Sequence, residues 1–128
     1  GGVVCLLSAL RFHRLTTQNP FEVWVAIPPN AWRPVGGGAP IRFVHVARPH
    51  LADGVEHHRI EGTKVAITTP AKTVADCFKF RNRIGTDVAI EALKELVQRH
   101  PGEIDALLRH AKVARVERVI RPYLESVV

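Results

Sequence analysis

Thr68-Thr69-Pro70-Ala71-Lys72-Thr73-Val74-Ala75-Asp76-Cys77-Phe78 is the stretch at which the chain changes its hydrophobic period. Downstream of it the period is helical. Thr69 is placed to cap the helix, Pro70 suits the first helical position, and Val74, Cys77 and Phe78 form an apolar stripe. Upstream, residues alternate as strands do. Val55–Ile60 and Thr63–Thr68 flank Glu61-Gly62, where the glycine suits a tight hairpin turn. Phe21–Ile27 alternates with Phe21, Val23, Val25 and Ile27 on one face and stops at Pro28-Pro29. Ile41–Ala47 alternates again. Between these two runs, residues 28–40 carry four prolines and Gly36-Gly37-Gly38, which predicts irregular chain.

Val3–Leu15, ahead of the strands, reads as a short helix that ends at Thr16-Thr17-Gln18-Asn19-Pro20. Beyond the Thr69 helix, Gly85 and Thr86 open a helix to Arg99 with Val88, Leu93, Leu96 and Val97 inward, and Pro101-Gly102 breaks it. Glu103–Ala111 is a third helix of this run. Arg115–Ser126 is a fourth, with Val116, Val119, Ile120, Tyr123 and Leu124 in one stripe; Pro122 inside it predicts a kink or an early end. Segregated strands and helices predict an α+β fold: a short N-terminal helix, a four-stranded and mainly antiparallel sheet, then four helices packed against it.

The 128 residues suffice for one domain, 1–128, with its own core, and 46% hydrophobic against 23% charged is globular composition. No run approaches the ~18 uncharged apolar residues of a membrane span. Gly1–Leu10 is apolar but has no basic leader and no small-residue cleavage site, so it does not read as a signal peptide. The start at Gly-Gly predicts that residues upstream have been lost. Cys5 and Cys77 lie far apart in apolar surroundings, as reduced core thiols of a cytoplasmic protein do.

A formal charge of +6 favours contact with a polyanion, most often nucleic acid. Six basic and three acidic residues fall in 1–60, and twelve and nine in 61–128, so no polybasic tail exists. Arg11 and Arg14 flank His13; Lys79, Arg81 and Arg83 follow the Thr69 helix; Arg109, Lys112, Arg115, Arg118 and Arg121 recur every three residues. That step drifts about 60° per repeat around a helix, giving a broad rim and not a narrow stripe. The eight aromatics do not interleave with these cations, which speaks against a platform for stacking single-stranded bases.

The sequence offers little to a catalyst. Ser8 has no nucleophile-elbow glycines, and neither cysteine has a base beside it. His45, His50, His57 and His58 are close in sequence, but the adjacent pair points to opposite strand faces and no zinc spacing is completed, so no metal or other cofactor is expected. Gly36-Gly37-Gly38 lacks the Lys-Ser/Thr of a phosphate loop. The strongest enzymatic alternative is a restriction-type, metal-dependent nuclease using Asp53, Glu61 and Lys64. Glu61 and Lys64 are three apart and not two, which on a strand puts them on opposite faces, and Gly62 interrupts them.

Leu7-Ser8-Ala9-Leu10-Arg11-Phe12-His13-Arg14-Leu15 resembles the Ser-Ala-x-x-x-His-x-Leu segment of the AbiEi abortive-infection antitoxin family. Thr68–Phe78 resembles that family's Thr-Ser-Pro-Glu-Arg-Thr-Leu-Ala-Asp-Cys-Phe segment, and Glu91–Leu124 resembles its helical C-terminal end. The similarity covers nearly the whole chain. It implies the C-terminal domain of a bacterial transcriptional regulator from a type IV toxin–antitoxin system, normally preceded by a promoter-reading winged helix that this chain lacks. It also implies a non-catalytic antagonist of a nucleotidyltransferase toxin that forms no stable complex with it. Homodimerisation is compatible with this reading. The motif residues would be Ser8, His13, Thr69, Pro70, Thr73 and Asp76, serving structure or antitoxicity. Weak, non-specific contacts to duplex DNA phosphates would come from Arg11, Arg14, Lys79, Arg81, Arg83, Arg115 and Arg118. The family's Pro-Glu-Arg is here Pro70-Ala71-Lys72, and its His-Gly-Leu is His13-Arg14-Leu15. Physically, Thr73 and Asp76 share a helix face, and Asp76 can pair with Lys72 or Lys79 or reach His13. On that reading the set fastens the first helix to the helix covering the sheet.

Overall fold

Glu61 and Gly62 are the whole of one turn. Val55–Ile60 (β4) and Thr63–Thr68 (β5) pair antiparallel from Val55 opposite Thr68 to Ile60 opposite Thr63. Both turn residues have positive φ, 50° and 80°, the backbone that a two-residue type I′ hairpin demands. This is a computed structural model, and it describes residues 1–31, 38 and 40–128. The irregular loop expected over 28–40, with Gly36 and Gly37, falls largely outside the described residues.

The sheet has five strands in the order β3-β2-β1-β5-β4, with β1 at Val3–Val4, β2 at Val23–Ile27 and β3 at Ile41–His45. It is mixed, not mainly antiparallel: β1 runs antiparallel to β2 but parallel to β5, and β2 runs parallel to β3. The fifth strand replaces the start of the expected Val3–Leu15 helix. Two residues are too few to show an alternation, and a central strand is apolar on both faces anyway. The parallel β2–β3 pair follows from a connection of about a dozen residues, which no tight hairpin provides.

Of the alternating set Phe21, Val23, Val25 and Ile27, Ile27 alone is buried, and the core face of β2 is the opposite one. Register places Val3, Ala26 and Val44 on one face with Trp24, and all four are buried. Phe21 is 82% exposed. Because Trp24 and Ala26 are apolar too, alternation alone could not choose between the faces.

Seven α-helices are found among the described residues. Leu6–Phe12 (α1) follows β1 directly, Arg48–Ala52 (α2) lies between β3 and β4, and Pro70–Lys79 (α3) leaves the sheet. Arg81–Ile84 (α4), Thr86–Arg99 (α5), Ile104–Val113 (α6) and Glu117–Val127 (α7) follow, with a single 3-10 turn at Pro101–Glu103. The short helices α2 and α4 were not expected; each is about one turn, below the length at which periodicity shows. Helix α7 does not stop early: it runs through Pro122 to Val127, held by buried Ile120 and Leu124 on either side.

Helix α3 is the centre of the molecule. It packs against α1, α5, α6 and α7, and every residue from Ala71 to Phe78 is buried. Its apolar stripe Val74, Cys77 and Phe78 meets the core as expected, with Phe78 5.8 Å from the Tyr123 ring centre to centre. Its polar residues Lys72, Thr73 and Asp76 are enclosed as well, so each must find partners inside the protein.

Candidate functional site

Thr69 caps α3 as its position predicts: the side chain accepts the Lys72 N–H at 3.3 Å, with Pro70 in the first turn. The Thr73 hydroxyl donates to the Thr69 carbonyl at 2.6 Å and lies against the Thr68 hydroxyl. From α1, the His13 ring donates from Nε2 to the Thr68 carbonyl at 2.7 Å, and Ser8 Oγ accepts the Trp24 N–H at 2.8 Å. Ser8 therefore ties α1 to β2, and His13 ties it to the end of β5. His13 does not reach Asp76; its nearest carboxylate is Glu56, at 3.6 Å. Glu56 is held at 2.8 Å by His58, whose ring stacks obliquely on Phe12.

Asp76 pairs with Lys72, one turn back, at 2.7 Å. Burial pushes its carboxyl above the usual range, and the Lys72 ammonium beside it opposes that shift. The pair opens into a cleft of about 300 Å³ whose walls include His45, His50, Asp53, Lys79, Phe80 and His110. Gly54 brings the chain past this wall. Its φ is +68°, and a Cβ there would lie 2.7 Å from Lys72 Cβ and 2.8 Å from His110 Cε1, so only glycine fits.

His110 is buried on α6, with Asp53 3.5 Å from Nδ1 and the Arg109 guanidinium 3.3 Å from Nε2. Arginine can only donate, so Nε2 must keep its lone pair. Burial, with the Arg109 charge adding to it, holds the imidazole below its ordinary pKa; Asp53 opposes this. Sequence reasoning did not single out His110 or Gly54, and it weighed His50 only as one of four clustered histidines. A signal existed for the first: Leu107, His110, Ala111 and Ala114 follow one buried helical stripe.

The two thiols are buried, and burial pushes both far above the range in which a thiolate forms near neutral pH. The nuclease triplet is not brought together. Asp53 stands at the cleft beside His110, Glu61 is exposed at the hairpin tip, and β4 separates them over roughly 17 Å of strand. Lys64 is exposed next to that tip. Among the described residues no three His, Cys, Asp or Glu side chains gather as a metal-holding group.

The basic residues divide by their partners. Arg109 lies 3.5 Å from Asp53, Lys112 4.0 Å from Glu117 and Arg121 3.1 Å from Glu117. Arg81 donates to the Phe78 carbonyl at 2.7 Å, and Arg83 sits over the Phe80 ring. Arg11, Arg14, Lys79, Arg115 and Arg118 are exposed and make no ion pair among the described residues. No helix among the described residues is long and apolar enough to cross a membrane.

No protein-family model matches the chain, and no curated protein matches it.

Proposed function

We propose that this chain is the C-terminal domain of an AbiEi-like type IV antitoxin and transcriptional regulator, a non-catalytic cytoplasmic protein of bacteria. The contact between the two antitoxin-like segments carries the reading. Fifty-five residues apart in sequence, they meet where His13 donates to the Thr68 carbonyl. Of the six motif residues, Ser8, His13, Thr69, Pro70 and Thr73 are spent on capping and fastening, as a scaffold requires. Asp76 is ion-paired inside the protein.

On this reading the fragment touches duplex DNA through phosphates while a separate winged helix reads bases. Arg11, Arg14, Arg115 and Arg118, exposed and without an ion pair among the described residues, are the side chains best placed for it. The domain opposes a nucleotidyltransferase toxin by its effect and not by stable association. Fluorescence anisotropy with a duplex of arbitrary sequence tests the DNA part. Weak binding is expected, with log affinity falling by about 0.9 per log salt for each phosphate neutralised. Salt-independent binding, or none at low salt, overturns it. Growth rescue of cells expressing the cognate toxin tests antitoxicity, and loss of rescue without loss of fold on Asp76→Asn would locate it at the cleft.

A further inference from the structure

Lys72 is only 8% exposed, yet its ammonium makes one hydrogen bond, to Asp76 Oδ1 at 2.7 Å. An ammonium has three donors, and burying them unfilled is unfavourable. Lys72 lines both the 300 Å³ cleft and an adjoining cavity of about 20 Å³ whose walls include Val3, Cys5, Leu6, Ala26 and Val44. The cleft's other free polar groups are nitrogen-bearing. Lys79 stands exposed at the mouth without an ion pair among the described residues, and His45 and His50 make no side-chain hydrogen bond there. The two carboxylates are already engaged, Asp76 by Lys72 and Asp53 by Arg109 and His110. Phe80, Val46, Val113 and Ala114 supply apolar wall.

We propose that this cleft binds a small organic phosphate monoester, whose phosphoryl oxygens accept from Lys72, Lys79 and His50. The unspent donors outnumber what a single carboxylate accepts, while a phosphate dianion offers three oxygens and two charges. The apolar wall takes the ester's body. The volume lies at the small end of ligand sites, so the body is no larger than one nucleoside. This site shares Lys79 with the DNA-phosphate contacts expected from the sequence but uses none of Arg11, Arg14, Arg115 and Arg118, and it does not depend on the antitoxin reading.

Isothermal titration with inorganic phosphate, adenosine 5′-monophosphate, adenosine and citrate tests it. The two phosphates are expected to bind at or below about 1 mM, the monophosphate more tightly, and adenosine and citrate not measurably. Exposed Lys79→Glu should weaken the monophosphate by roughly tenfold or more, whereas Lys64→Glu, the same charge change on the hairpin, should leave it within about twofold. Lys79→Ala, which adds no carboxylate, should weaken it in the same direction. Absence of phosphate binding, binding of citrate or adenosine as tight as the monophosphate, or equal effects of the Lys79 and Lys64 changes overturns the proposal. Displacement of the monophosphate by duplex DNA assigns the cleft to backbone phosphates and overturns it too.

Discussion

Asp76 and Lys72 are each other's solvent. With the pair about nine-tenths buried at the floor of the cleft, Asp76→Ala strands a largely buried ammonium and should destabilise the protein by up to about 3 kcal/mol, read from the urea midpoint. Replacing both partners, Lys72→Met with Asp76→Leu, should recover most of that loss, since the pair's own net contribution is small once desolvation is counted. His110 gives a pH signature. Its folded pKa lies below 6.5, so between that lowered value and 6.5 the unfolded chain binds the proton that the folded chain refuses. Stability is therefore complete above pH 6.5 and falls as pH drops through that window. His110→Gln should flatten this part of a urea-midpoint profile; an unchanged slope would assign the pH response elsewhere. At this scale the sequence was legible where one residue acts on its neighbours, as Thr69 and Pro70 do in starting a helix. It was not legible where a side chain acts across the fold. Nothing local to Ser8 or His13 announces the Trp24 amide or the Thr68 carbonyl as partners.

Helices α1 and α6 end by the same device. Leu15 N–H returns to the Leu10 carbonyl at 2.9 Å and Arg14 N–H to Arg11 at 3.2 Å; Val116 returns to Ala111 at 2.9 Å and Arg115 to Lys112 at 3.1 Å. This is the Schellman closure, with Arg14 at φ 60° and Arg115 at φ 62° in the left-handed position glycine prefers. The antitoxin segment that this stretch resembles has glycine at the position of Arg14, and the backbone here has the shape glycine prefers. Arg14→Gly should thus stabilise the domain by roughly 0.5–1 kcal/mol, relief of left-handed strain outweighing the added freedom of the unfolded chain. A lowered thermal midpoint would contradict it. Elements longer than one turn were readable from period and punctuation: β4, β5 and α5 begin and end within a residue of expectation, and α3 starts at Pro70 as its cap predicts. Elements of a single turn or two residues, β1, α2 and α4, carry no period and emerged only from packing.

For the whole molecule, the charge excess is what remains after internal pairing. Arg109, Lys112 and Arg121 are held by Asp53 and Glu117, while Arg115, in the turn between α6 and α7, and Arg118, at the start of α7, make no ion pair among the described residues. The double change Arg115→Ala with Arg118→Ala should reduce the salt slope of duplex binding by up to about 1.8, two phosphates' worth, and weaken all sequences alike. A sequence-dependent loss would mean that these residues touch bases. The α+β class was legible because strands and helices are segregated along the chain. The mixed sheet was not, because direction and order of strands depend on partners far away in sequence.

That distance has a kinetic side. Among the described residues the sheet's two ribbons, β2–β3 and β4–β5, are joined through Val3–Val4, and Val4 meets Ile67 some sixty residues later. Closing so long a loop is slow compared with forming the hairpin. During synthesis β1 must wait, one edge unpaired, until the β5 segment has left the ribosome, so this strand, made before every other strand of the sheet, is among the last to be locked in place.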